Sequence, residues 1–319
     1  MNEKLVTIAM ALYKPNLLWL KKQLESLNKQ DYPNLELVVW NDCPEKSIPV
    51  DLFHDYITRF PYKLFQGKSN LGSTKVFEKI TELADGKYIA YCDQDDIWHA
   101  NKISTLVRML EQHQGSLACC DMRVIDQNGV LKADKITDVR PRQQFVTGNH
   151  QLESLLTKNF VTGCAMLCET KMAQQALPFP KELVHDHWLS VWNAVYGKIV
   201  IAEESLIDYR IHGDNQTGIL AGVVTKRDYF TKKCLLYYER ISIINNRLNR
   251  SPAVKLLREK MIWAQRRVNY LKHPGLGTFL SLLACCRNDI LVTGFELFLP
   301  IIPKKIFKML IKSLQCGRI

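Results

Sequence analysis

The apolar positions in the first 95 or so residues follow two alternating periods. "LVTIAMALY" (5–13) is an unbroken apolar run and predicts a buried strand. "NLLWLKKQLESLNKQ" (16–30) follows, with Leu17, Leu20, Leu24 and Leu27 at helical spacing and Pro15 at its entrance, which predicts a helix. "LELVVWND" (35–42) predicts a second strand that ends in polar residues, and "YKLFQ" (62–66) a third. "STKVFEKITELADG" (73–86) predicts a helix closed by Gly86, and "KYIAYCD" (87–93) a fourth strand. Strands and helices in alternation argue for an α/β fold with a mostly parallel central sheet and helices on both faces. Ligands in such sheets bind at the carboxyl ends of the strands. The chain places Tyr13 after the first strand, Asp42 after the second, and Asp93 and Asp95 after the fourth.

Further along the pattern is less regular. "SLACCDMRVID" (116–126) and "NFVTGCAMLCE" (159–169) predict strands, the second carrying Gly163. "LVHDHWLSVWNAVYG" (183–197) has the apolar spacing of a helix. "IVIAEESLIDYRIHGDNQTG" (199–218) predicts one or two short strands and then a polar loop. From about Gly222 the chain turns into long, basic, helix-like segments.

Charge sharpens this division. The net charge is +11 over 319 residues. Residues 1–221 hold 24 Lys plus Arg against 27 Asp plus Glu, and residues 222–319 hold 19 against 5. The basic excess therefore lies wholly in the last hundred residues. Two regions are expected, 1–221 and 222–319, the second meeting something anionic. "PKKIFKMLIKSL" (303–314) puts Phe307, Leu310, Ile311 and Leu314 on one helical face with lysines around the rest, the pattern of a helix lying in an anionic membrane surface. The start lacks the apolar core of a signal peptide, and "PGLGTFLSLLACC" (274–286) is too short for a membrane span. The ten cysteines include no C-x-x-C and read as reduced, mostly buried small hydrophobes.

The chemistry centres on "YCDQDDIW" (91–98). Carboxylates that close repel one another unless water or a cation intervenes. A D-x-D pair behind a strand suits Mn²⁺ or Mg²⁺, hard cations that take oxygen ligands and bridge substrate phosphates. A plainer reading makes Asp96 the N-cap of a helix over "IWHANKISTLVRML" (97–110). Asp42 could accept a hydrogen bond from a base, Tyr13 could stack on it, and Asn70–Gly72 with Lys75 lie where a phosphate would meet a cation. Together these residues sketch a pocket for a nucleotide diphosphate. "GKS" (67–69) is not a P-loop, and no G-x-G-x-x-G follows the first strand. "HDH" (185–187) does not suit zinc, because alternate helix positions point apart.

"VTIAMALYKP", "LESLNKQDYPNLELVVWND", "NLGSTKVFEKITELADGKYIAYCDQDDIWHANKI", "VTGCAML", "HDHWLS" and "YRIHGDNQTG" occur in that order over residues 5–218. In this the chain resembles the family 2 glycosyltransferases of GT-A fold, and its later motifs resemble the rhamnosyltransferase-like branch that serves bacterial polysaccharide synthesis. The resemblance implies that Tyr13 and Asp42 hold the nucleobase, that Asp95 is the direct metal ligand with Asp93 nearer the ribose, and that His212 lies on the metal or diphosphate. It implies Asp186 as general base and Trp188 at the acceptor. Beside these, Asp93 is also expected in the metal set, Lys75 on the donor, and His187 and Gly163 at the acceptor. The resemblance implies inverting transfer from a nucleotide-diphosphate sugar, rhamnose first, to a hydroxyl of a lipid-linked oligosaccharide or polysaccharide. The expected location is cytoplasmic, peripheral at the inner face of the membrane. The chain departs at strand two, where Asn41–Asp42 stands for an acidic pair and Cys43–Pro44 follows. A UDP-linked hexose or N-acetylhexosamine is the alternative donor. A sugar nucleotidyltransferase is disfavoured by the loop "LYKPN", which lacks that class's glycines and arginine. A nucleic-acid-binding protein leaves "DQDDIW" and "HDHW" unexplained, and no nucleic-acid partner is expected.

Overall fold

Short apolar runs pair into a sheet because a strand buried on both faces needs partners for every backbone group and apolar neighbours above and below. In the computed structural model, which describes residues 3–140, 143–212, 220 and 222–315, the chain forms two compact units, Met1–His212 and Gly213–Ile319. The division expected at residue 221 and the loop residues 213–218 lie outside the described residues.

The first unit runs β1 Val6–Leu12, α1 Leu17–Asn28, β2 Leu35–Asn41, α2 Val50–Tyr56, β3 Tyr62–Gln66, α3 Ser73–Leu83 and β4 Tyr88–Cys92. It continues with β5 Ile97–Trp98, α4 Lys102–His113, β6 Leu117–Ile125, β7 Leu131–Ala133, α5 Ile136–Val139 and α6 Gln151–Thr157. It closes with β8 Met166–Glu169, α7 Thr170–Gln175, α8 His185–Tyr196 and β9 Ile199–Arg210. The strands form one sheet in the order β3-β2-β1-β4-β8-β6-β9-β5, with β7 on β6. The expected parallel core is β3-β2-β1-β4. Past β4 the sheet is mixed: β8 runs antiparallel to both β4 and β6, and β6 and β9 are parallel. The carboxyl ends of β1, β2 and β4 therefore lie side by side, and residues from β1, β2, β4 and α1 fill the core beneath them.

Three local expectations change. Gly86 does not close α3, which ends at Leu83 with Ala84 in extended backbone. A Cβ at Gly86 would stand 2.7 Å from the Thr7 nitrogen, so the glycine allows two backbones to approach. Asp96 caps no helix: Ile97 and Trp98 pair with β9, and α4 begins at Lys102. Gly163 precedes β8 in a single 3-10 turn rather than lying inside a strand.

The second unit holds α9 Lys226–Tyr229, a π-helical turn Phe230–Leu235, α10 Leu236–Arg247, α11 Val254–Lys272, α12 Leu276–Leu283, α13 Ile290–Phe298 and α14 Lys304–Gln315. Its core holds a buried ion pair, Arg267 to Glu296 at 2.6 and 2.8 Å, with Tyr229 donating to the same carboxylate at 3.0 Å. The membrane-facing role expected for the apolar stripe of α14 is corrected here. Phe307 and Ile311 are buried against Val223, Tyr229 and Leu299 of the same unit. Burying such a side chain is worth roughly 1.5–3 kcal/mol, so these two residues of the stripe are not available to lipid in the folded unit, while Leu310 and Leu314 are half-buried. Among the described residues no helix is long and apolar enough to cross a membrane. None of the nine described cysteines forms a disulfide, and seven are buried.

Candidate functional site

The end of β1 is held in an unusual shape. Lys14 has φ +45°, a left-handed backbone that a side-chain-bearing residue adopts at a cost. A side chain from the D-x-D segment secures it. Gln94 Oε1 accepts the Tyr13 N–H at 2.8 Å, and Gln94 Nε2 donates to the Tyr13 carbonyl at 3.0 Å. Tyr13 is left 44% exposed at the mouth of the sheet, with the Lys14 ammonium over its ring 5.1 Å from the centroid. Nothing local in the sequence marks Gln94 for this role, since its partner lies 81 positions away.

Asp42, after β2, is nearly buried, and its carboxylate faces a loop. Oδ1 accepts the Leu71 N–H at 2.8 Å and Oδ2 the Gly72 N–H at 2.9 Å. Gly72 has φ +80°, which favours glycine there. Asp42 thus shapes the "NLG" turn, and the carboxylate expected to meet a base directly is already engaged. Asn41, standing in place of an acidic residue, donates to the Lys46 carbonyl at 2.6 Å and to Gln66 Oε1 at 3.0 Å, shaping the loop after β2.

The acidic cluster divides into two layers. Asp95 Oδ2 and His212 Nε2 stand 2.8 Å apart in the outer layer, both partly exposed. The Trp19 ring lies 5.0 Å from the His212 ring and 5.2 Å from the Arg210 guanidinium, packing both against α1. Asp96 forms the inner layer, buried, with Oδ1 accepting the Arg210 backbone N–H at 2.9 Å. Arg210 itself donates through Nε to the Asp95 carbonyl at 2.7 Å and so fixes the segment's path. Burial pushes the Asp96 carboxyl well above the usual carboxylate range, with the charges of Asp95 and Asp93 adding to it. Asp93 is pushed up as well, to about 7, by burial first and then by the charges of Asp95 and Asp186. Beneath them Lys102 is fully buried, donates to the Cys164 carbonyl at 2.5 Å and stands 3.1 Å from the Trp98 ring centroid.

Two sets of donor atoms could be considered for a cation. Asp93, Asp96 and Cys164 have ligand atoms within 4.8 Å of one another. Burial raises both the Asp96 carboxyl and the Cys164 thiol, so this trio favours protonated groups. Asp95 and His212 converge an oxygen and a nitrogen on one point, with Asp93 adjacent. Carboxylate oxygens at a partly exposed position, with one imidazole, suit Mn²⁺ or Mg²⁺ better than a buried thiol does.

Asp186 lies in the first turn of α8, whose N-cap is Val184, so it is not the capping residue. Its Oδ2 accepts the Gly163 N–H at 3.0 Å and its Oδ1 the Asn159 amide at 3.2 Å. Burial raises its carboxyl to about 6, against the pull of the Gly163 and His187 backbone N–H groups. Its charge adds to the rise of the Asp93 carboxyl, so Asp186 faces the acidic segment, while Asp95 and His212 are in direct contact. Gly163 earns its place through His185. A Cβ there would stand 2.6 Å from His185 Nε2, and the His185 ring is itself wedged against Phe77 (4.1 Å) and Tyr91 (5.1 Å).

Three expected contacts are corrected. Trp188 does not line an acceptor pocket: it is 1% exposed and donates its indole N–H to the Ala176 carbonyl at 2.8 Å. His187 Nε2 is bound to the Leu155 carbonyl at 2.8 Å and ties α8 to α6. Lys75 does not present its ammonium to a phosphate. Its three donors meet both oxygens of Glu78, at 2.8 and 2.7 Å, and the Phe179 carbonyl at 3.2 Å.

The chain and its fold are similar to those of known proteins. The chain is 25% identical over 206 residues to the uncharacterized protein Rv1520 of Mycobacterium tuberculosis, a match covering 63% of this chain and 56% of that protein. The chain thus spans little more than half the length of that relative. It is 25% identical over 193 residues to the Escherichia coli UDP-Glc:alpha-D-GlcNAc-diphosphoundecaprenol beta-1,3-glucosyltransferase WfgD, covering 60% of this chain and 71% of WfgD. Among solved structures it is similar to S. aureus TarS 1-349 in complex with UDP-GlcNAc, with TM-score 0.61, 15% identity, and 99% and 92% of the two chains covered. It is also similar to the mannosyltransferase PcManGT from Pyrobaculum calidifontis in complex with GDP-Man and Mn²⁺, with TM-score 0.56, 14% identity, and 98% and 85% covered. At these identities the structural likeness shows the fold, which is the GT-A fold expected from the sequence. Residues 7–173, just over half of the chain, match the family described as Glycosyl transferase family 2, and to that family the chain belongs.

Proposed function

We propose that the protein is an inverting glycosyltransferase. It moves a sugar from a nucleotide-diphosphate donor to a hydroxyl of a lipid-linked or growing bacterial surface glycan, at the cytoplasmic face of the membrane. One observation carries the reading. A contacting carboxylate–imidazole pair, Asp95 with His212, and a carboxylate of raised pKa, Asp186, border the same acidic segment. Transfer of this kind needs one group for the departing diphosphate and one for the proton of the attacking hydroxyl.

Asp186 takes that proton. Its carboxyl near 6 leaves it ionised at neutral pH yet more basic than an ordinary aspartate. The acceptor oxygen attacks the anomeric carbon as its O–H proton passes to Asp186. The bond from that carbon to the diphosphate oxygen breaks, and the nucleoside diphosphate leaves. One base and one displacement give inversion. Tyr13, clasped by Gln94, stacks on the nucleobase, and Asp42 holds the Leu71–Gly72 turn beside it. Asp95, Asp93 and His212 would hold Mn²⁺ or Mg²⁺, which when bound neutralises the diphosphate.

The lipid-linked acceptor is supported by the name of WfgD, and a metal by the Mn²⁺ complex of PcManGT. The donor sugar is rhamnose on the motif resemblance. A UDP-linked hexose or N-acetylhexosamine is the second reading, favoured by the glucose of WfgD and the N-acetylglucosamine of the TarS complex. A panel of nucleotide sugars, with Mn²⁺, Mg²⁺ or EDTA, separates these for wild type and Asp95→Ala. Metal-dependent binding or hydrolysis of one donor, lost in the variant, is expected. Metal-independent binding that survives Asp95→Ala would sink the assignment.

A further inference from the structure

We propose that the second unit docks on an anionic lipid bilayer, through the exposed apolar residues of α12, α13 and the turn before α14 together with the exposed lysines of α14. These residues are distinct from those of α14 that the unit buries. Leu276, Ile290, Leu291, Phe298, Ile301 and Met309 are each 60–84% exposed. Elsewhere among the described residues only Leu18 is a large apolar side chain exposed to that degree. On α12 the exposed residues Leu276, Leu280 and Leu283 fall at i, i+4 and i+7, a single face. On α13, Leu291 and Phe298 are two turns apart. The opposite sides of these helices hold Leu282 and Leu297, packed with Trp263 and Tyr270. Both helices are therefore apolar on the side that meets the core and apolar again on the side that does not. A water-facing helix surface is ordinarily polar.

Charge decides what covers it. Lys304, Lys305, Lys308 and Lys312 are exposed on α14. The acidic residues within 276–315 are Asp289 and Glu296. Asp289 accepts the Val292 N–H at 2.9 Å as the cap of α13, and Glu296 is buried on Arg267. Asp289 is a half-buried carboxylate, so the exposed charge in this segment is mainly, not wholly, positive, from Arg287 and these lysines. Exposed apolar residues with positive charge are complementary to acyl chains under anionic headgroups. A second copy of the chain would bring like charge against like.

The test is co-sedimentation of the full chain with vesicles of phosphatidylcholine, with and without phosphatidylglycerol. Binding to the anionic vesicles, weakened by salt, is expected. A Leu276→Ser/Leu291→Ser variant should lose roughly tenfold or more in partition, and so should Lys305→Glu/Lys308→Glu. The substituted side chains are exposed, so the melting temperature and donor hydrolysis without vesicles should hold. That hydrolysis assay also separates this proposal from the catalytic one, since either can fail alone. Wild type left in the supernatant, or a serine variant that binds as wild type does, overturns the proposal. So does a self-association in sedimentation velocity that the serine substitutions abolish, which would name a second copy as the occupant.

Discussion

Gly163→Ala probes the site where packing and chemistry meet. The added methyl would lie 2.6 Å from His185 Nε2 and 2.9 Å from Cε1, against an ordinary contact of about 3.5 Å or more. The imidazole would have to retreat by close to 1 Å. Phe77 and Tyr91 block that retreat, and the ring is buried. Overpacking of this kind costs roughly 1–3 kcal/mol, or a Tm loss of about 2–10 °C in a unit of this size. If the backbone at 163 moves instead, its N–H leaves Asp186 Oδ2, now 3.0 Å away. That bond favours the ionised carboxylate, so weakening it raises the Asp186 carboxyl further above about 6. Asp186 works as a base only when ionised. Activity is therefore present above its pKa and lost as pH falls through it, and the acid limb of the pH–rate profile should move to higher pH in the variant. Thermal unfolding and a pH–rate profile of glycosyl transfer measure the two effects. His185→Ala supplies the control, because it removes the atom that the methyl meets. Gly163→Ala should cost at least 1 kcal/mol less in that background, by a double-mutant cycle. Equal cost in both backgrounds, or an unmoved Tm in the single variant, would refute the argument that Gly163 is required by the His185 ring.

Asp186→Asn should lower turnover by roughly 10²–10⁴-fold while calorimetric donor binding persists, and a loss of donor binding instead would remove it from the role of base. Gln94→Glu keeps the acceptor for the Tyr13 N–H but sets a carboxylate oxygen against the Tyr13 carbonyl; losing one such hydrogen bond should raise the donor Kd by roughly 2- to 10-fold with an unchanged Tm. Lys75→Ala should leave the donor Kd within about twofold of wild type, since its ammonium is bound to Glu78 and Phe179, and a loss near tenfold would return Lys75 to the phosphate.

Much of this site could be read from the sequence because a strand's end is a local property. Apolar runs that stop at Tyr13, Asp42 and Asp93 place those residues at the mouth of the sheet whatever happens elsewhere. What a side chain there meets is not local. Asp42 is engaged by Leu71 and Gly72, 29 and 30 positions on, and no spacing rule links them. Asp96 read as a cap because good helix formers follow it, but Ile97 and Trp98 pair with Asp208 and Ile207, more than a hundred positions away. Lys75 is a different case. Glu78 lies three residues on in the same helix, the spacing of a surface ion pair, so its engagement was available from the sequence alone.

The second unit shows the same limit from the other side. Periodicity in "PKKIFKMLIKSL" located an apolar stripe on α14 correctly, yet said nothing of its partner, which is the unit's own core at Val223, Tyr229 and Leu299. On α12 the sequence is apolar nearly all round, and such a helix ordinarily reads as fully buried. Its length excludes a span, and burial of Leu282 alone leaves Leu276 and Leu280 more than half exposed. A one-dimensional pattern reports how much apolar surface a helix carries, while the folded unit reports how much of it is covered. The uncovered remainder, in a segment whose exposed charge is mainly positive, is what calls for a lipid partner.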